Sequence, residues 1–113
     1  MSSTTASGLH IEDTVLGEGP AAAPGRNIIV HYAGWFADGR QFDSSEEKND
    51  PFEFTLGAAE VIAGWDQGLP GMKVGGTRRL TVPPALAYGE QGAGDTIPPN
   101  VTLIFEVKLL AVS

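Results

Sequence analysis

The chain has 113 residues, 42% hydrophobic and 19% charged, with 15 Gly, 8 Pro and no Cys. That composition fits one globular domain of many short elements, burying roughly two-thirds of its unfolded surface, and it excludes disulfides, thiolate metal sites and cysteine nucleophiles. A net charge of −7 with no run of Lys or Arg argues against nucleic acid and anionic membrane surfaces as partners.

Residues 1–8, Met-Ser-Ser-Thr-Thr-Ala-Ser-Gly, are polar, without a basic or apolar targeting pattern, and no stretch is long and apolar enough for a membrane span. They are expected to form a flexible tail ahead of a single domain over 9–113. A cytoplasmic location is expected, or a periplasmic one if a targeting segment has been removed.

Leu9, Ile11 and Val15 alternate with polar neighbours and predict a half-buried strand, closed by Gly17-Glu-Gly-Pro20. From Asn27 to Phe36 a stronger strand is predicted, with Ile28, Val30 and Tyr32 on one face and Ile29, His31 and Trp35 on the other. Apolar groups on both faces imply a central strand. Asp38-Gly39 signals a hairpin whose returning strand, Gln41 to Ser44, brings Phe42 and Asp43 beside Tyr32. After a polar loop from Ser45 to Pro51, Phe52 to Leu56 alternates as a short strand.

A single stretch suits a helix, Val61 to Leu69, with Ile62, Trp65 and Leu69 on one face and Pro70-Gly71 as the stop. Gly64 weakens it, so packing must hold it. Alternation returns from Arg78 to Val82 and from Val101 to Leu110, on either side of a Gly/Pro-rich loop. The sum is an α+β fold with an antiparallel sheet of five to six strands and one short helix.

The segments Val30-His-Tyr-Ala-Gly34, Gly39-Arg-Gln-Phe-Asp-Ser-Ser45, Pro51-Phe52, Val61-Ile-Ala-Gly-Trp65, Ala87-Tyr-Gly89 and Ile97-Pro-Pro-Asn100 together resemble the FKBP family, in its order and with its spacings. The likeness extends from Leu9 to Val112. It implies a twisted sheet wrapped around the short helix, a half-barrel, and peptidyl-prolyl cis/trans isomerase activity with no metal or other cofactor. By the same resemblance Tyr32, Phe42, Asp43, Trp65, Tyr88 and Phe105 form the catalytic pocket, and Phe52, Val61, Ile62 and Ile97 complete its substrate-binding surface. Trp65 is the implied floor, and the Ile62 N–H and Tyr88 hydroxyl the implied donors to substrate carbonyls. Tyr32 is expected to bond Asp43. The implied partners are proline-containing peptides, folding proteins and macrolides such as rapamycin and tacrolimus.

An aromatic wall suits that chemistry, because amide resonance puts a barrier of roughly 18–20 kcal/mol on rotation and polarises the planar form more than the twisted one. A water-poor pocket therefore favours the twisted state, and no bond need break.

Competing readings of the same residues are weaker. His31 with Asp43 and Ser44 suggests a hydrolase triad, but strand alternation turns His31 away from Tyr32. The chain's two histidines, and the spacing of Glu46, Glu47 and Asp50, fit neither zinc nor calcium. Gly89, Gly92 and Gly94 precede Ile97-Pro-Pro rather than a helix, which argues against a phosphate loop. Asn100-Val-Thr102 is a formal glycosylation acceptor that needs secretion. Trp35, Phe36 and Phe54 are expected to be structural packing.

The chain departs from well-known eukaryotic members at Ala93 and Thr96, which replace a histidine and a larger aliphatic residue over the pocket. Gly71 to Leu80 and Gly89 to Gly94 resemble bacterial members instead, among them the catalytic domains of macrophage-infectivity potentiators. The sequence carries no long dimerisation helix of their kind, so a monomer is expected. Gly57 to Glu60 leaves no room for the flap of the chaperone-like branch.

Overall fold

The computed structural model describes residues 2–94 and 96–113. Its strands are β1 (Ser2–Thr4), β2 (His10–Val15), β3 (Asn27–Phe36), β4 (Gln41–Ser44), β5 (Phe52–Thr55), β6 (Thr77–Val82) and β7 (Leu103–Val112). Among the described residues a single α-helix, α1 (Ala63–Gly68), precedes β6, and a 3₁₀ turn over Pro84–Leu86 follows it. The strands form one antiparallel sheet in the order β1-β2-β6-β7-β3-β4, with β5 paired to the first part of β3.

β3 is central, as its two apolar faces require: it pairs β7 along its length on one edge and β5 then β4 on the other. The hairpin turns over the three residues Ala37-Asp38-Gly39: Gly39 N–H donates to the Phe36 carbonyl at 2.9 Å, Gly39 takes φ of 96°, and Arg40 N–H is capped by Asp38 at 3.0 Å. Ser2–Thr4, expected as part of the polar tail, pairs with Glu12–His10 and adds a seventh strand. Met1 lies outside the described residues.

Alternation sorts the inner face cleanly. Ile28 and Val30 of β3, Leu80 and Val82 of β6, and Leu103, Val107 and Leu109 of β7 are all at most 1% exposed. Each such side chain contributes about 1.5–3 kcal/mol relative to remaining in water. They close on α1, whose Trp65 is buried and whose capping residue Leu69 is buried beside them.

The helix is shorter than the predicted Val61 to Leu69 because Ile62 is extended, with φ −60° and ψ 151°, and serves as the N-cap. With six residues it cannot be stable alone. Tertiary contacts supply what propensity lacks. A Cβ on Gly64 would stand 2.5 Å from Val82 Cγ1, so glycine is what lets α1 approach β6 this closely. Asp66 accepts from the backbone N–H of Gly57 and Ala59 at 2.8 and 3.0 Å, tying the preceding turn to the helix. At the other end, Arg78 of β6 donates to the Gly68 and Pro70 carbonyls while forking onto Asp13 of β2 at 2.6 and 3.1 Å.

Candidate functional site

The site lies where α1 meets the concave face of the sheet. Trp65, 4% exposed, forms its floor, with the rings of Tyr32 and Phe105 edge-on to it at 5.1 and 5.3 Å and those of Phe54 and Phe52 at 5.9 and 6.3 Å. Edge-to-face contacts of this kind are worth about 0.5–1.5 kcal/mol beyond simple burial. The indole Nε1 is buried without a hydrogen-bond partner among the described residues.

A β-bulge supplies the wall. The register runs Gly34 to Asp43 and then Trp35 to Gln41, leaving Phe42 as the extra residue of β4. Ordinary alternation would send Phe42 and Asp43 to opposite faces, whereas the bulge lets both line the same cavity. Gly34 makes room for this: a Cβ there would lie 2.6 Å from Phe42 Cζ and 3.1 Å from Phe105 Cε1. Phe42 then packs edge-on against Phe105 at 5.7 Å.

The resulting cavity, roughly 190 Å³, is lined by Tyr32, Phe42, Asp43, Phe52, Val61, Ile62, Trp65, Tyr88 and Phe105, together with Glu60. Nine of the sequence-derived site residues thus converge on one space. The remaining one, Ile97, is buried in the overhanging loop and lines an adjoining hollow with Ala93 and Thr96, which shares Phe42, Asp43 and Tyr88 with the cavity. Paired bonds between Ala93 and Ile97, 2.9 and 3.0 Å, hold that loop.

Hydrogen bonding fixes the polar edge. The Tyr32 hydroxyl donates to Asp43 Oδ2 at 2.6 Å, and Asp43 Oδ1 accepts from Lys48 Nζ at 2.7 Å and from the Ser44 N–H at 2.9 Å. Burial pushes the Asp43 carboxyl up, but the hydrogen bonds from Lys48 and Tyr32 outweigh it and hold the group below its ordinary range. Burial, then the bond to Asp43, pushes the Tyr32 phenol well above its usual value, and burial does the same to Tyr88. At neutral pH Asp43 is therefore ionised, while the Tyr32 and Tyr88 phenols are neutral. Among the described residues no group accepts from the Ile62 N–H, which stands at the cavity edge.

His31 takes no part in this constellation. Its Nδ1 lies 2.8 Å from Ser45 Oγ, and Asp43 is engaged elsewhere, so no triad with Ser44 exists. Phe36 packs on Phe42, and Phe54 lies behind Phe52 and Trp65, both outside the lining. Among the described residues no cluster of His, Asp and Glu is arranged to hold a metal ion.

Sequence reading missed Lys48 and Glu60. The available signal for Lys48 was its isolation: it is the one cation in the acidic loop that follows Asp43. Glu60 had none beyond standing next to Val61. Its carboxylate accepts from the Thr55 N–H at 2.9 Å, joining β5 to the cavity rim.

In sequence and fold the chain is similar to known proteins. Residues 19–110 match the family described as FKBP-type peptidyl-prolyl cis-trans isomerase. An FK506-binding protein of Neisseria meningitidis serogroup B is 53% identical over 105 residues, 93% of this chain and 96% of that one. FK506-binding protein 1 of Dictyostelium discoideum is 50% identical, over 90% and 97% of the two chains. Among solved structures, AtFKBP13 superposes with a TM-score of 0.92 at 41% identity, over 100% of this chain and 99% of that one. FkpA from Escherichia coli superposes with a TM-score of 0.90 at 40% identity, over 99% of this chain and 51% of its own. With most of its length matched at these identities, the chain belongs to the FKBP-type peptidyl-prolyl cis-trans isomerase family.

Proposed function

We propose that the Trp65-floored cavity binds the proline of an X-Pro segment and accelerates rotation about the preceding bond by desolvation and hydrogen bonding, with no covalent step. The observation that carries this reading is the Tyr32 to Asp43 hydrogen bond, 2.6 Å long, set into a cavity walled mainly by aromatic rings.

The apolar proline ring rests on Trp65 between Tyr32, Phe42 and Phe105. Water is excluded from the amide, whose planar form carries the larger charge separation and so loses more on desolvation than the twisted form. The Ile62 N–H and the Tyr88 hydroxyl bind the flanking carbonyls and hold the segment while the bond turns. Asp43, ionised between Lys48 and Tyr32, faces the positive end of the amide dipole and keeps the Tyr32 ring in place. Uncatalysed exchange takes tens to hundreds of seconds. A turnover near 10² s⁻¹ needs an acceleration of roughly 10³ to 10⁴, about 4–6 kcal/mol, which binding, shape and desolvation together supply.

Macrolides such as tacrolimus and rapamycin belong to the same proposal: several relatives are named FK506-binding proteins, and the proline pocket is the surface such a ligand would fill. Turnover of a proline tetrapeptide is expected to fall to the buffer rate when tacrolimus is added at saturation. Turnover that persists with the macrolide bound would separate the two activities and overturn the shared-pocket reading.

A further inference from the structure

At the end of the β3–β4 ladder a side chain takes over a backbone rung. Ser45 N–H donates to the Tyr32 carbonyl at 2.9 Å, as the next antiparallel pair requires. The reciprocal bond does not go to the Ser45 carbonyl. Tyr32 N–H donates to Ser45 Oγ at 2.7 Å, and the Ser45 carbonyl accepts from Asp50 N–H at 3.0 Å. The hydroxyl is 2% exposed at the residue level and also lies 2.8 Å from His31 Nδ1 and 3.2 Å from the Tyr32 carbonyl.

This exchange serves two needs at once. Tyr32 keeps a full set of backbone bonds, so its ring stays aimed across the sheet at Asp43. The chain after Ser45 is meanwhile released into a turn, secured by Asn49 N–H on the Glu46 carbonyl at 3.1 Å, Glu47 N–H on Ser44 Oγ at 3.3 Å, and Lys108 of β7 on Glu46 at 3.3 Å. That turn carries Lys48 back to Asp43.

We infer that Ser45 is a positioning residue of the isomerase site: its hydroxyl fixes Tyr32 on one side of Asp43 and, through the turn that it releases, Lys48 on the other. This rests on the roles proposed above for Tyr32 and Asp43. Without the hydroxyl, Tyr32 N–H and Asp50 N–H compete for one carbonyl, and either the ladder or the turn must yield.

The test is the series Ser45→Ala, Ser45→Cys and Ser45→Thr, offering no acceptor, a weak one and a full one. Two quantities are read in each folded variant: kcat and KM on a proline tetrapeptide, and the titration of the Asp43 carboxyl by carbon NMR. The groups facing that carboxyl are Tyr32 from β3, Lys48 from the turn, and Tyr88 from the overhanging loop, with Asp50 acting on Tyr32 and Lys48. Ser45→Ala is expected to lower kcat about tenfold, as loss of one buried hydrogen bond does, with KM little changed. Its Asp43 midpoint should move up toward the ordinary value, with Ser45→Cys between and Ser45→Thr close to the unmodified protein. Should Ser45→Ala not fold, the Cys and Thr variants still fix the order. An Asp43 titration that is the same across the series overturns the inference, whatever happens to kcat. If the unmodified protein shows no turnover, the proposed function fails, while the titration still decides the role of Ser45.

Discussion

Tyr32 and Asp43 stabilise each other's neutral and ionised forms, and the sign of that coupling sets the pH behaviour. Asp43 titrates below its ordinary value of 3.8 in the folded chain, so its contribution to stability is present above 3.8 and is lost as pH falls through the lower folded value. Tyr32 and Tyr88 stay neutral beyond the usual 10.0. Turnover is therefore expected to be flat between 3.8 and 10.0 wherever the protein stays folded, and a limb centred near neutrality in the pH–rate profile would contradict these assignments. Asp43→Ala leaves the half-buried Tyr32 hydroxyl without its acceptor and the Lys48 ammonium without its partner. A loss of about 10- to 100-fold in kcat/KM is expected, with the fold retained by circular dichroism. Equal rates for the variant and the unmodified protein would remove Asp43 from the chemistry.

At the scale of elements, the short helix is held by its neighbours rather than by its own residues. Gly64→Ala improves helix propensity by about 1 kcal/mol. Its methyl nevertheless meets Val82 Cγ1 at 2.5 Å. Overpacking of that kind costs about 1–3 kcal/mol, so a net lowering of stability in urea titrations is expected, relieved by adding Val82→Ala. A stabilised Gly64→Ala would show that α1 does not press on β6. Arg78→Met strands the Asp13 carboxylate and two helix-end carbonyls, and a loss of about 3 kcal/mol is expected, partly recovered by Asp13→Leu. The elements most legible in the sequence were those with a strong pattern. Asn27–Phe36 and Gln41–Ser44 match the reading residue for residue, because two-sided apolar alternation and Asp38-Gly39 leave little choice of register. Ser2–Thr4 was not legible: it buries no large side chain and is held by backbone pairing with the edge of β2. The Phe42 bulge was equally hidden, since it is defined by the opposite strand, and the place of Lys48 depends on a turn whose key contact is a side chain replacing a backbone acceptor. The aromatic site residues could be named from motifs, while their common cavity could be reached only through that bulge.

The molecule as a whole carries a net charge of −7, and Glu60 joins Asp43 in the lining of the cavity. Clients with an apolar residue before proline are expected to be turned over faster than those with an acidic one. Because this discrimination includes a long-range charge component, the gap in kcat/KM should narrow as salt is raised from about 10 mM to 1 M. A gap that ignores salt would assign the preference to contact within the pocket. The central claim, rotation without bond making or proton transfer, is tested most directly by exchange NMR on a proline tetrapeptide with the protein in light and in heavy water. The expected result is exchange accelerated by roughly 10³ to 10⁴ at saturation, at closely similar rates in the two solvents. Exchange at the buffer rate, or catalysed exchange markedly slower in heavy water, would contradict it.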